Sequence, residues 1–289
     1  MRYQEFAPPP LLRRLVENFW TITHGPHEPP LPREVVAPDG NASLMFVRQA
    51  VNRCDPQRDS RTVICEKAVL VGQKSRPFFY DFQSTAPLQT IGVRFTTVGL
   101  SRFTALPMLE LTDSLIPAEE AFGSPFREAV DRVFSLDDPV DQLRTVQRYL
   151  LSALSEPGPE DLLVEGLIRQ IQKADGQLSI AELCRRSYLH HRRLDRLFAR
   201  YVGLSPKAYS RILRFHSAIL AYNRRPEQRL TDLAYSCGYF DQMHFIREVK
   251  AFTTRTPKHY FRHRSGHFQT FLWRLLQRRG ACISSPSGS

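Results

Sequence analysis

The stretch Ser179-Ile-Ala-Glu-Leu-Cys-Arg-Arg-Ser-Tyr-Leu-His-His-Arg-Arg-Leu-Asp-Arg-Leu-Phe198 decides the fold of the C-terminal half. Ser179 stands at a helix N-cap, with Glu182 at the capping-box position. Ile180, Leu183 and Cys184 share the inward face, and the helix breaks near Ser187–Leu189. A second helix, His190 to Tyr201, buries Leu194, Leu197 and Phe198 and turns Arg192, Arg193, Asp195, Arg196 and Arg200 outward, before Gly203 stops it. The same grammar returns at Leu230-Thr231, turns through Cys237-Gly238-Tyr239 and enters another helix at Asp241. Between the two units, Ser205-Pro206 opens a longer helix reaching about Tyr222, roughly 27 Å of rigid spacer. Two helix-turn-helix units so separated suit successive major-groove faces, about 34 Å apart.

Charge points the same way. Residues 1–160 carry 17 Lys and Arg against 20 Asp and Glu, a balance of −3, whereas residues 161–289 carry 23 against 9, a balance of +14 within the total of +11. A basic half is the footprint of a polyanion binder. Arginine dominates it, which suits bidentate contact with phosphates and guanine edges. No run of eighteen apolar residues exists and Met1-Arg-Tyr-Gln-Glu-Phe-Ala-Pro lacks the apolar core of a secretory signal, so the expected location is cytoplasmic. Cys54, Cys65, Cys184, Cys237 and Cys282 are scattered without a Cys-x-x-Cys pair and read as plain thiols.

The first half reads differently. After Pro8-Pro-Pro10 and a short helical pattern at Leu11 to Phe19 come short β-rich runs: Phe19–Thr23, Glu34–Ala37, Ser43–Arg48, Arg61–Val71, Pro77–Phe82 and Leu88–Phe95. Pro-Asp-Gly-Asn at 38–41 and similar turn residues punctuate them, as in a β-sandwich or small barrel. Helical patterns follow at Gly99–Leu106, Ser124–Phe134 and Pro139–Leu154. The last carries the stripe Val140, Leu143, Val146, Leu150, Leu154, which fits packing on its own barrel or a dimer seam. Ser155-Glu-Pro-Gly-Pro159 is the clearest linker. The only histidines of this half, His24 and His27, do not make a metal set, and neither a phosphate loop nor a nucleophile elbow is present, so no cofactor, metal or enzyme activity is expected. Phe46, Phe78, Tyr80, Phe82 and Phe95 are candidates to line an effector cavity, or else ordinary core.

The C-terminal pattern resembles the arabinose-regulator (AraC/XylS) family of bacterial transcription factors. The matching residues are Leu178-Ser-Ile-Ala-Glu-Leu183, Arg196-Leu-Phe198 and Gly203-Leu-Ser-Pro-Lys-Ala-Tyr209, with Arg214, Ala218 and Leu220 in the spacer. Leu230 to Tyr239, Asp241-Gln-Met-His-Phe245 and Pro257-Lys-His-Tyr260 complete it. Val16-Glu-Asn-Phe-Trp20, Pro38-Asp-Gly-Asn-Ala-Ser-Leu-Met-Phe46, Val71-Gly-Gln73 and Gly92-Val-Arg-Phe95 with Gly99-Leu100 are similar to the sensory domain of one subset of that family. Ser217, Glu248-Val249 and Thr254-Arg255 depart from the pattern. The resemblance implies an α+β two-domain chain. Residues 1–158 would form a cupin-like β-barrel with flanking helices for sensing and dimerisation, 159–264 an all-α double helix-turn-helix, and 265–289 an amphipathic helix and tail. It implies a DNA-binding transcription regulator, with RNA polymerase and a second copy as partners and a small-molecule effector at the barrel. A first half used only for dimerisation or partner sensing, or one carrying an enzyme activity, is the alternative.

Aligned to the family, the base-contact candidates are Arg192, Asp195 and Arg196 in the first unit and Gln242, Met243, His244 and Arg247 in the second. Arginine pairs bidentately with guanine, glutamine suits adenine, methionine a thymine methyl, and Asp195 either accepts from cytosine or orients a neighbouring Arg. Arg193, Arg200, Lys207 and Lys258 are phosphate candidates. His259, His263 and His267 share one helical face if that helix continues, but lack a carboxylate or Cys nearby for a metal. Phe268 to Arg279 reads as an amphipathic helix that docks on this chain or a partner.

Overall fold

A computed structural model describes residues 1–25, 27–28, 33–48, 51–55, 60–64, 67–81, 88–262 and 276. The N-terminal part is built from β1 (Arg2–Phe6), β2 (Val16–His24), β3 (Glu34–Val36), β4 (Ser43–Val47), β5 (Val51–Asp55), β6 (Ser60–Ile64), β7 (Lys67–Val71), β8 (Phe78–Asp81) and β9 (Leu88–Phe95). After α1 (Met108–Leu111) and β10 (Leu115–Pro117) come α2 (Ala118–Phe122), α3 (Pro125–Ser135) and α4 (Pro139–Ser152). All strand pairs are antiparallel, in a six-stranded sheet of order β1-β2-β9-β4-β7-β10 and a four-stranded sheet of order β3-β8-β5-β6. Among the described residues the ladders form these two sheets rather than one closed ring.

The large sheet is a middle layer. Successive side chains of a strand point to opposite faces, and here both faces are covered. Leu44, Phe46, Ala68, Leu70, Ile91, Val93 and Phe95 pack with Phe126, Val133, Leu143, Val146 and Leu150 of α3 and α4. Met45, Val47, Val69 and Val71 face the other way, onto Ile64, Phe78 and Tyr80 of the small sheet. The α4 stripe is therefore covered within the chain: Leu143, Val146 and Leu150 are buried, and only at its start does Val140 reach 38 % exposure. Of its two readings, packing on its own domain is the one observed.

Several local expectations shift. Val16–His24 is one long strand, and only Pro10–Leu12 of the helical pattern before it makes a 3-10 turn. A strand buried on both faces is apolar at helical and at alternating positions alike, so periodicity alone does not separate the two. The run 61–71 divides into β6 and β7, and Gly99–Leu106 reduces to a 3-10 turn at Leu100–Arg102.

The C-terminal part is helical throughout: α5 (Pro159–Lys173), α6 (Ile180–Ser187), α7 (His191–Tyr201), α8 (Pro206–Arg224), α9 (Leu230–Ser236), α10 (Gln242–Thr253) and α11 (Pro257–Arg262). Caps set these bounds. Ser179, Ser205 and Asp241 accept hydrogen bonds from the N–H groups of Glu182, Ala208 and His244, satisfying otherwise orphaned donors. One core unites the seven helices, with Leu194, Phe198, Phe215, Leu233, Phe245 and Phe252 at its centre. Leu276, from the tail, is buried in it; the rest of 268–279, with Cys65, Phe82, His263, His267 and Cys282, lies outside the described residues. No helix among the described residues is long and apolar enough to cross a membrane.

Candidate nucleic-acid interface

Each helix-turn-helix unit presents its second helix to solvent. In α7, Leu194, Leu197 and Phe198 anchor the inner face. Arg192 and Arg196, one turn apart, are exposed and have no carboxylate partner among the described residues. Asp195 binds His191 at 2.9 Å across one turn, so its partner on the helix is a histidine rather than the arginine considered from the sequence. Arg193 is tied to Glu160 of α5 at 3.1 Å, and Arg200 lines an open cleft of about 450 Å³ with Arg102, Phe103, Glu156 and Asp161. These two phosphate candidates thus face α5 and the N-terminal part, apart from Arg192 and Arg196. Lys207 and Lys258 are exposed at the first turns of α8 and α11.

The helix before α7 carries its own charge lock. Ser179 caps it, but Glu182 turns away from the reciprocal capping position. Its carboxylate accepts from Arg185 at 2.7 Å and Arg186 at 2.6 Å, and these bonds lower its pKa to about 2.

In α10, Met243 and Arg247 are exposed while Gln242 and His244 are half-buried. Gln242 Oε1 accepts from the Thr231 hydroxyl at 2.6 Å, which orients the amide. His244 Nδ1 accepts from the Phe240 N–H at 3.4 Å, and the ring stands edge-on to Tyr239. Hence His244 is partly a packing residue.

The departure at Glu248-Val249 has a structural reason. Glu248 is buried and takes a bidentate ion pair from Arg211 of α8, with bonds of 2.8 Å from Nε and 2.8 Å from Nη2. That fork fixes α10 on the spacer helix, while Arg214 donates to the Gly176 carbonyl at 2.9 Å and lies over the Tyr239 ring. Glu248→Ala is expected to cost about 1–2 kcal/mol, reduced from a fully buried pair because Arg211 is partly solvated. A urea denaturation midpoint shared with wild type would contradict it. Thr254, one of the departures from the pattern, adopts φ 60, a left-handed conformation that strains a β-branched residue.

A second set of residues, with Gly203 and Tyr209 at the two ends of the Gly203-Leu-Ser-Pro-Lys-Ala-Tyr209 motif, joins the two parts. Gly203 closes α7 with φ +84, and a Cβ there would stand 2.5 Å from the Met108 carbonyl, so only glycine permits this approach of α7 to α1. Thr112 Oγ1 donates to the Gly203 carbonyl at 2.6 Å. On α8, fully buried Tyr209 meets Thr97 Oγ1 at 3.1 Å and receives Gln172 Nε2 at 2.9 Å, and His216 Nε2 sits 3.2 Å from the Pro38 carbonyl. Beneath them lies a buried charge network. Asp39 binds Lys74 at 3.0 Å and Arg94 at 2.7 Å, and Arg94 binds Glu17 at 2.7 Å. Burial alone would oppose ionisation of Asp39, but the Arg94 and Lys74 cations outweigh it and hold the carboxyl well below the usual range. Pro38-Asp-Gly-Asn supplies Asp39, Gly92-Val-Arg-Phe95 supplies Arg94 and Val16-Glu-Asn-Phe-Trp20 supplies Glu17, while Lys74 follows directly on Val71-Gly-Gln73; what hid the platform was its assembly from segments far apart in sequence.

The described aromatic candidates for an effector cavity divide between two cores. Phe46 and Phe95 pack on the helix-covered face and Phe78 and Tyr80 between the sheets, each at most 3 % exposed. Cys237 is buried, which pushes its thiol pKa up, and Cys184 is half-buried; both are free.

A family model described as a helix-turn-helix domain matches residues 183–263, and one described as a domain of unknown function matches residues 4–117. No curated protein matches the chain. Structures of ToxT from Vibrio cholerae are similar at low identity. One in a P21 form is 10 % identical, covering 84 % of this chain and 97 % of its own, with a TM-score of 0.47. That of strain O395 is 11 % identical over 86 % and 98 %, with a TM-score of 0.46. An apo form from strain SCE256 is 13 % identical over 84 % and 96 %, with a TM-score of 0.45. The chain thus carries a helix-turn-helix domain over residues 183–263, the stretch that holds α7 to α11 with both recognition helices and the spacer between the units.

Proposed function

We propose that this chain is a sequence-specific transcription regulator that lays α7 and α10 into successive major grooves. The observation that carries the reading is the exposed Arg192–Arg196 face of α7, without a carboxylate partner among the described residues, matched by Met243 and Arg247 on α10, with a spacer helix of 19 residues between the units. That spacer is about 28 Å long, close to the repeat of one DNA turn. Arg192 and Arg196 reach guanine edges, Gln242 donates its amide to adenine, Met243 meets a thymine methyl and Arg247 a guanine or phosphate. Asp195 and His244 support these contacts from their hydrogen-bonded positions, and Lys207 and Lys258 hold phosphates, whereas Arg193 and Arg200, called phosphate candidates from the sequence, face α5 and the N-terminal part. Residues 1–158 act as the regulatory part and 159–264 as the DNA-binding part, working as a homodimer with RNA polymerase at the promoter.

Arg196→Ala is expected to weaken specific binding by about 1–3 kcal/mol and relax preference at one base position, whereas Lys207→Ala or Lys258→Ala weakens all sequences alike and flattens the salt dependence. An Arg196→Ala protein with unchanged affinity and sequence profile, measured by titration of labelled DNA, removes this residue from the reader.

An effector acts by shifting the population of docked and released arrangements at the seam around Tyr209 and His216. A second reading, in which the N-terminal part works through docking alone, is favoured by one observation: the described aromatic candidates for a cavity are all committed to packing. Calorimetric changes in stability on adding candidate small molecules separate the two, since only an effector that binds the folded chain raises its Tm.

A further inference from the structure

The two turns differ by one residue. In the first, Tyr188 takes the left-handed conformation (φ 55), the Leu189 N–H returns to the Cys184 carbonyl at 3.1 Å, and His190 caps α7. In the second, Gly238 is left-handed (φ 75) and the Tyr239 N–H returns to the Ala234 carbonyl at 3.0 Å, but Phe240 intervenes before the cap at Asp241. The additional residue is a phenylalanine, and it is 84 % exposed. Its backbone is pinned: the N–H meets His244 Nδ1, Tyr239 beside it is buried against Phe245, and Asp241 Oδ1 accepts from the His244 N–H at 2.6 Å. Met243, 60 % exposed, follows three residues on, in the first turn of α10.

An aromatic on an anchored backbone and a thioether thus stand in solvent at the N-terminal end of a recognition helix, the end that meets base edges. The surrounding half of the chain is strongly basic, so the surface complementary to it is nucleic acid. On the major-groove edges of the bases the thymine 5-methyl is the one apolar group. We propose that Phe240 and Met243 together form an apolar reader of thymine methyls in the half-site bound by the second unit. The inference rests on the DNA-binding reading above, in which Met243 already meets a thymine methyl, and adds Phe240 to it as the partner that completes an apolar reader.

The test uses the full chain and a site recovered by selection from random DNA, with the thymines of each half-site replaced singly by deoxyuridine, which lacks only the methyl. Wild type should lose about three- to tenfold in affinity at one or two positions of the second half-site. Phe240→Ser should fold with wild-type stability, because the side chain is exposed, and should bind thymine and uracil alike at one of those positions. Equal binding of uracil throughout that half-site, a second half-pattern without thymine, or undiminished discrimination by Phe240→Ser overturns the proposal. A chain that selects no sequence overturns the DNA-binding reading with it, whereas uracil tolerance removes the methyl reader alone.

Discussion

Asp39→Ala is expected to lower stability by about 3–5 kcal/mol, the usual penalty for leaving buried charge without its partner. Asp39, Lys74 and Arg94 are each at most 4 % exposed, so truncating the carboxylate takes an ion-pair partner from two buried cations, leaving Arg94 its pair with Glu17 and Lys74 its bond to the Asn41 carbonyl. Asp39→Asn keeps the shape and part of the hydrogen bonding, so it should lose less than alanine. The sign of the pH dependence follows from the lowered carboxyl. A group whose pKa is depressed by folding contributes stability above its unfolded value, near 3.8 here, and loses it as the pH falls toward the folded value. The gap between wild type and Asp39→Asn should therefore be constant above about pH 5 and narrow steadily below pH 4. Urea denaturation of both proteins at a series of pH values measures it. A gap that widened on acidification would contradict the network as described.

Tyr209→Ala should be comparably damaging, at about 3–5 kcal/mol, because it removes a fully buried aromatic. Its position makes the outcome informative beyond its size. The ring belongs to the core of the helical part, while the hydroxyl reaches Thr97 of the N-terminal part and Gln172 of α5. Tyr209→Phe keeps the packing and leaves Thr97 and Gln172 without that partner, for about 1–2 kcal/mol. Both variants should loosen the seam between the parts, so that protease sensitivity at the Ser155–Pro159 connection rises with the loss of stability. Calorimetry of Tyr209→Ala showing an unchanged Tm would sink the assignment of Tyr209 as a seam residue.

The helical half was largely legible in the sequence because its determinants are local. Ser179, Ser205 and Asp241 are caps read within four residues, and the apolar positions of α7 recur at helical spacing. The N-terminal half was legible in kind and not in register. Its central strands bury both faces, so Ser43–Val47 is buried throughout, apolar from Leu44 on, and the usual alternation disappears. Phe46 then cannot be told from a cavity residue until α3 is placed over it. Asp39, Lys74 and Arg94 come from three segments, and their meeting depends on strand pairing across the whole sheet. The Arg211–Glu248 fork was hidden for a different reason: Glu248 is an odd residue against the family pattern, and its partner lies on another helix, 37 residues away.

Phe240 is legible only when the two turns are compared with each other. Neither its sequence position nor its exposure alone assigns it a role, but aligning the turns on their left-handed residues isolates it as the added position.

The central claim is that two helices of one chain read two adjacent stretches of duplex DNA. Selection of bound sites from random DNA with the full-length protein tests it most directly. The result expected is a bipartite motif whose two half-patterns lie about one helical turn apart, with guanine under the Arg192–Arg196 face and thymine under Met243. Enrichment without a fixed pattern, or a single half-pattern unaffected by changes in α10, would contradict it.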